Sequence, residues 1–210
     1  MIIEKESCII SNMVIKVFIS LIIGYLLGSV VTAILLSKLF FKEDIRTKGS
    51  GNSGATNAAR VYGLPVGVFT FAGDFIKGIL ACVLGNLIGG DVCLAVAAAA
   101  CMIGHCYPCW FELRGGKGVS VGAAIACTLD WRVALVGLCV FLTVVLSTRI
   151  VSISSILGMI AVGIAILIFK DSVALRILGV FAAIMVVIRH TGNIDRLIKG
   201  TEKKFTLGGH

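Results

Sequence analysis

Charge is scarce in this chain: 14% of its 210 residues are Asp, Glu, Lys or Arg, against 58% hydrophobic. With a mean hydropathy of +1.05, that leaves too little polar surface to enclose a soluble core, and an integral membrane protein is the class that remains. No stretch is long and polar enough for a second domain, so residues 1–210 are read as one. No nucleic-acid-binding module is recognisable despite a net charge of +8. The basic residues lie beside apolar segments, which points to anionic lipid and an anionic substrate as partners and away from nucleic acid. The apolar run that follows Lys5 and Lys16 carries no small-residue cleavage pattern, so it reads as an uncleaved first span. The eight cysteines form no disulfide framework: Cys82, Cys93, Cys101, Cys127 and Cys139 sit in apolar segments, where cysteine behaves as a small hydrophobe. Cys106 and Cys109 in CYPC have metal or redox spacing, but no second pair accompanies them, and no metal or cofactor is expected.

What the chain has is apolar runs, at Val14–Phe41, Pro65–Ile88, Val92–Ile103, Val119–Leu129, Val133–Leu146, Ile150–Phe169 and Val173–Ile188. They predict an all-α polytopic membrane protein, a bundle of seven transmembrane helices, with five to seven full crossings left open because the short run 119–129 is tilted, re-entrant or extended into its glycine-rich flank. Alternating the loops puts Lys42, Arg46, Lys48, Arg60, Arg114, Lys117, Arg149 and the basic tail on one side. Lys5, Arg132 and Lys170 fall on the other, so the positive-inside rule predicts an external N-terminus and a cytoplasmic C-terminus. Small residues four apart, Gly24 with Gly28, Ala97 with Cys101 and Gly118 with Gly122, suit close helix contacts in lipid. Asp74 and Lys77 are costly inside a span, and their spacing lets them pair. Buttressing a loop is preferred over ion transport for them.

Three polar clusters interrupt the apolar pattern. Gly49 to Arg60 contains G-x-G-x-x-G, yet helix-length apolar runs flank it, so the strand of a dinucleotide fold is missing. Two readings remain, an anion nest of amides and hydroxyls or a flexible interhelical loop. His105 to Gly118 contains Gly115-Gly116-Lys117-Gly118 ahead of the short run, which would set Lys117 at a helix N-terminus where free amides favour an anion. Without the upstream glycine and following hydroxyl of a Walker loop, nucleotide hydrolysis is not expected. His105 itself reads as a structural histidine bracing the loop through Tyr107 and Pro108. Ser152, Ser154 and Ser155 after Arg149 either cap a helix or touch an anion. In the third cluster, Arg189 to Lys204, His190 and Asn193 share a face if the helix continues, with Arg196, Lys199, Glu202 and Lys203 behind them. His190 to Asp195 also spells H-x-x-x-x-D, the spacing of acyl-CoA-dependent glycerolipid acyltransferases, but on a helix those positions lie about 140° apart. The tail beyond reads equally as a lipid-facing basic patch.

GSGNSGATNAAR, GHCYPCWFELRGGKGVS, TRIVSISS and RHTGNIDRLIKGTEKK, in that order between hydrophobic spans, closely resemble the bacterial acylphosphate-dependent glycerol-3-phosphate acyltransferases, the PlsY family. The resemblance covers nearly the whole chain; the polar start at Met1 to Asn12, Ser53 where proline is common, and the cysteine-rich second motif depart from it. It implies a seven-helix enzyme of the bacterial cytoplasmic membrane, working on its cytoplasmic face. Such an enzyme moves a fatty acyl group from acyl phosphate to the 1-hydroxyl of sn-glycerol 3-phosphate, giving lysophosphatidic acid and inorganic phosphate. By motif match, Ser50, Gly51, Asn52, Gly54, Thr56 and Lys117 would bind acyl phosphate. Arg60, Lys117, Ser152, His190 and Asn193 would bind glycerol 3-phosphate, the last four forming the catalytic group. The resemblance also implies no coenzyme A, no metal, and a soluble enzyme upstream that makes the acyl phosphate. The residues agree: a mixed anhydride carries its own leaving group and needs chiefly positioning and charge stabilisation. An anion transporter and a ligand-sensing membrane module remain as the other readings.

Overall fold

The computed structural model describes the backbone over residues 2–204 and side chains from residue 11; Lys5 and most of the polar start lie outside the described side chains. Among the described residues nine α-helices succeed one another: α1 Ile2–Ser29, α2 Thr32–Phe41, α3 Ala55–Tyr62, α4 Leu64–Cys106, α5 Val119–Leu129, α6 Trp131–Thr148, α7 Val151–Phe169, α8 Val173–Arg189 and α9 Thr191–Ile198, with a one-turn 3-10 helix at Ile45–Thr47.

The run expected at Val14–Phe41 is two helices, because Val31 is extended (φ −95°, ψ 104°) and breaks the ladder between α1 and α2. The two runs expected on either side of residue 90 are the limbs of α4. Gly89 (φ −167°, ψ 34°) and Gly90 (φ 67°, ψ −154°) reverse the chain there, in conformations that Gly90 in particular can hold without a side-chain clash. Its limbs run back against each other, so that a side chain on Gly85 would overlap the backbone of Cys93 and Leu94. α5 has the expected bounds, and α6 to α8 begin or end within two residues of theirs. α3 and α9 were not expected as elements. They are eight-residue amphipathic helices, too short and too polar on one face to register as apolar runs.

Four segments are long and apolar enough to cross a membrane, Ser11–Phe41, Leu64–Cys106, Trp131–Thr148 and Val151–Phe169; α8 joins them only when taken with α9, which turns away from it by 57°. The protein is thus a multi-pass membrane protein. Large apolar side chains such as Phe18, Phe69, Leu87, Leu146 and Ile168 are exposed on the outside of the bundle, where lipid is their solvent. The interior is built from small or slender residues: Ala81, Ala97, Ala98, Cys101, Ala124, Gly158 and Ala182 let the helices approach, and Met102, Val121, Ile125, Met159 and Ile166 fill between them. The expected contact of Gly24 and Gly28 is real, since side chains there would overlap the carbonyls of Ala97 and Cys101.

The two ends of the bundle differ. At one, Asp130 caps α6 through the Arg132 amide (2.9 Å) and pairs with Arg132 (2.9 Å) and Lys170 (3.4 Å). A cavity of about 280 Å³ opens there, between Asn86, Asp91, Thr128 and Lys170. At the other end the second and third polar clusters meet, and Arg46, just ahead of the first, reaches the second. Arg46 donates to the carbonyl of Phe111 (2.7 Å), Lys117 reaches Asn193, and Ser152 reaches Glu202 (2.8 Å), so the cavity and the polar convergence are separate places.

Candidate functional site

The glycine-rich loop before α3 is organised from beneath by Asn57. Its Oδ1 accepts from the Ser50 amide (2.8 Å), and its Nδ2 donates to the carbonyls of Lys48 (3.1 Å) and Asn52 (2.9 Å). Gly49 (φ 62°) and Gly51 (φ 74°) supply the left-handed turns this wrapping needs. A side chain on Gly49 would overlap Asn57. The loop is therefore a fixed coil rather than a flexible linker, with Ser50 and Gly51 exposed, Asn52 and Thr56 half-buried and Gly54 at the N-cap of α3. Helix α2 and the 3-10 turn precede it in place of a strand, which disposes of the dinucleotide reading. Arg60 projects, exposed, from the last turn of α3.

The second loop is held from two sides. The amides of Gly115 and Gly116 donate to the carbonyls of Cys106 (3.1 Å) and His105 (2.9 Å), while the Arg189 guanidinium donates to the carbonyl of Gly116 (3.1 Å) and sits 4.8 Å above the Tyr107 ring. Gly118 (φ 83°) turns the chain into α5. Lys117 is thereby aimed at Asn193, to whose Oδ1 it donates.

The third cluster closes the site differently from the sequence expectation. The helix does not continue through His190: it breaks there (φ −105°, ψ 9°), and α9 starts at Thr191. His190 and Asn193 are both buried at the corner. Because Val186 offers only a carbonyl, His190 Nδ1 is the donor in their 2.7 Å contact, and Nε2 is left as the ring's acceptor. After α9, Gly200 (φ 68°) turns the tail back and returns Glu202 to the site. Glu202 accepts from Ser152 (2.8 Å), from Asn193 and, at its other oxygen, from Arg196 (2.6 Å). Asp195 instead pairs with Lys199 (2.9 Å) on the exposed side, so His190 and Asp195 form no dyad.

Lys117, Asn193 and Ser152 are thus joined through Glu202, with His190 at the same corner. The loop carrying Ser50, Gly51, Asn52, Gly54 and Thr56 lies outside this hydrogen-bonded group; Arg60, beyond it on α3, bears on Lys117 through its charge, as do Arg196 and Arg189. Burial first, and then those three cations, press the Lys117 pKa down to about 8, against the pull of Glu202. At Glu202 burial works against the charge, but hydrogen bonds from Asn193, Ser152 and Arg196 outweigh it and hold the carboxyl below its ordinary range. An ammonium ringed by guanidiniums, with one carboxylate already committed elsewhere, attracts a multiply charged anion. The Lys117 pKa gives a sign to the pH dependence. Its charged form prevails below about 8, so kcat/KM should fall as pH rises through about 8, and the pH–rate profile of the free enzyme would record the limb.

Asn57, Arg189 and Glu202 were missed as site residues. The only sequence signal for each was membership of a polar cluster, and their roles depend on carbonyls and partners that spacing cannot reveal.

A family model described as glycerol-3-phosphate acyltransferase matches residues 18–200. A glycerol-3-phosphate acyltransferase of Macrococcus caseolyticus is 38% identical over 189 residues, 90% of this chain and 97% of that protein. Glycerol-3-phosphate acyltransferase 2 of Bacillus anthracis is 38% identical over 186 residues, 89% and 97% of the two chains. Among solved structures, the glycerol 3-phosphate form of PlsY (YgiH), an integral membrane glycerol 3-phosphate acyltransferase, superposes with a TM-score of 0.86 at 32% identity, covering 90% of this chain and 96% of that one. Its lysophosphatidic acid form gives 0.83 at 31% identity, with 91% and 96% covered.

Proposed function

Since the chain belongs to the glycerol-3-phosphate acyltransferase family, we propose that it acylates the 1-hydroxyl of sn-glycerol 3-phosphate with acyl phosphate as donor, releasing lysophosphatidic acid and inorganic phosphate. The observation that carries this reading is the convergence of Lys117, Asn193, Ser152 and Arg196 on one anion-binding corner beside His190. The acyl phosphate lies along the amides and hydroxyls of Ser50, Gly51, Asn52, Gly54 and Thr56 with its phosphate toward Lys117. Arg60, Ser152, His190 and Asn193 hold glycerol 3-phosphate.

The 1-hydroxyl oxygen attacks the acyl carbonyl, the bond from carbonyl carbon to the bridging phosphate oxygen breaks, and the hydroxyl proton passes to the departing phosphate. His190 Nε2, the ring's acceptor, orients the hydroxyl. Lys117 neutralises charge that grows on the phosphate, so its contribution is larger in the transition state than in the ground state. No side chain needs to form a covalent intermediate, because the anhydride is already activated.

The proposal extends to topology. Taking α1 with α2 as one span, the limbs of α4 as two, and α5 to α8 as four makes seven, with residues 1–210 a single domain. The excess of Lys and Arg at the site's end puts that end in the cytoplasm of a bacterial inner membrane, the N-terminus outside and the donor-producing enzyme on the site's side. Anion transport would call for a midplane site between repeats, whereas Lys117, Arg189 and Arg196 belong to the loops and corner at one end.

Purified protein supplied with glycerol 3-phosphate and either palmitoyl phosphate or palmitoyl-CoA should release lysophosphatidate and phosphate with the acyl phosphate alone. Turnover with the CoA ester would replace the donor assignment, and no turnover with either would overturn the reading.

A further inference from the structure

Beneath the Gly115–Gly118 loop lies a charged cluster that the proposed chemistry does not use. Asp74 and Lys77, one turn apart in the first limb of α4, pair at 2.8 Å with Asp74 fully buried. Lys77 also donates to the carbonyls of Gly28 (3.0 Å) and Val30 (2.6 Å), two groups freed where α1 breaks, and reaches His105 Nδ1 at 3.0 Å. Thr32, opening α2, donates its hydroxyl to Asp74 (3.1 Å). Nδ1 faces this cluster, and Nε2 is the ring atom set against Gly116: a Cβ there would overlap Nε2 first, then Cε1.

We infer that His105, held from behind by Lys77 and Asp74, is a positioning residue for the acyl-transfer site, fixing Gly116 and with it the height at which Lys117 enters. The inference rests on the acyltransferase reading above. Three observations separate it from simple stabilisation. First, the cluster touches the loop through a ring edge on a glycine, where only a glycine leaves room for the ring. Second, Arg189 donates to the carbonyl of the same Gly116, so the peptide before Lys117 is held by a guanidinium as well as by the imidazole edge. Third, Asp74 Oδ2 and Thr70 Oγ1, one turn earlier, are buried without a hydrogen-bond partner among the described residues. A cluster serving stability alone would do better as well-packed apolar residues of the same volume; retaining charge at such cost marks a requirement for geometry. Lys77, engaged by two carbonyls, a carboxylate and an imidazole, is also saturated, which leaves it nothing with which to carry an ion.

The test is a double-mutant cycle between His105→Asn and Gly116→Ala. Asparagine keeps an acceptor at the place of Nδ1 for Lys77 but removes Nε2 and Cε1. Expected is an unchanged melting temperature in detergent for His105→Asn with a loss of about 10²-fold in kcat/KM, the scale of a misplacement of about 1 Å. Its alkaline limb should move upward from about 8, since a loosened loop lets Lys117 into water. Gly116→Ala should be damaging alone and no worse in the His105→Asn background, because the atoms it overlaps are gone. Additive losses in the cycle, or activity and melting temperature falling together in His105→Asn, would overturn the inference. Wild-type turnover in the same assay keeps that failure distinct from a failure of the acyltransferase reading.

Discussion

Lys117→Ala is expected to cut turnover by about 10²–10³-fold or more while leaving the melting temperature of the detergent-solubilised protein where it was. The reason is the imbalance around this ammonium. Among the described residues it makes no ion pair, its hydrogen bond goes to the neutral Asn193, and Arg196, Arg189 and Arg60 all disfavour its charge. In the resting protein the one carboxylate that favours the Lys117 charge, Glu202, is already bonded to Ser152, Asn193 and Arg196, so removing Lys117 relieves repulsion and desolvation as well as losing a contact. An arriving phosphate reverses the balance: it pairs with Lys117, satisfies the guanidiniums, and gains most when charge concentrates on it as the acyl bond breaks. Lys117→Arg keeps the charge but replaces a compact point with a wider planar fork, so it should restore only part of the rate. Steady-state release of phosphate and lysophosphatidate by the three proteins measures this; an alanine variant with retained turnover would remove Lys117 from the mechanism.

The second large effect lies on stability. Lys77→Met alone should cost about 3–5 kcal/mol, the scale of stranding one charge of a buried pair. Asp74 has no water to turn to, since its side chain is buried at the junction of α1, α2 and α4. The carbonyls of Gly28 and Val30 would lose their donor as well. Adding Asp74→Asn removes the stranded charge, so the double variant should melt above Lys77→Met. Thermal melts with the fraction surviving detergent extraction would read both, and a double variant no better than the single would show that charge pairing is not what the site needs.

The helices were largely legible because membrane helices announce themselves by apolar length. The kink at Val31 was not, because a β-branched residue is ordinary in a helix of this composition and the break depends on Lys77, far along the chain, to take up the freed carbonyls. The Gly89–Gly90 reversal was legible as an interruption between runs. Of the site, Lys117, Asn193, Ser152 and His190 were identifiable by motif and converge. Their organisers were hidden. Asn57 works by wrapping three backbone groups, Arg189 by gripping carbonyls, and His105 through its ring edge rather than through Tyr107 and Pro108, all contacts that no residue type or spacing encodes. The break at His190 escaped for a further reason: no Pro marks it, the nearby Gly192 falls inside α9, and the segment from Thr191 onward is polar enough to read as a tail.

The return of Glu202 through the Gly200 turn bears on biosynthesis. Ser152 and Asn193 find their common acceptor only in a residue translated after both, so the spans can be threaded into the bilayer, and the glycine-rich loops coiled, before the anion corner exists. A chain cut after Ile198 would keep its membrane helices and leave its polar corner open. Threading of the spans and closure of the polar corner are therefore separable events in the life of this polypeptide.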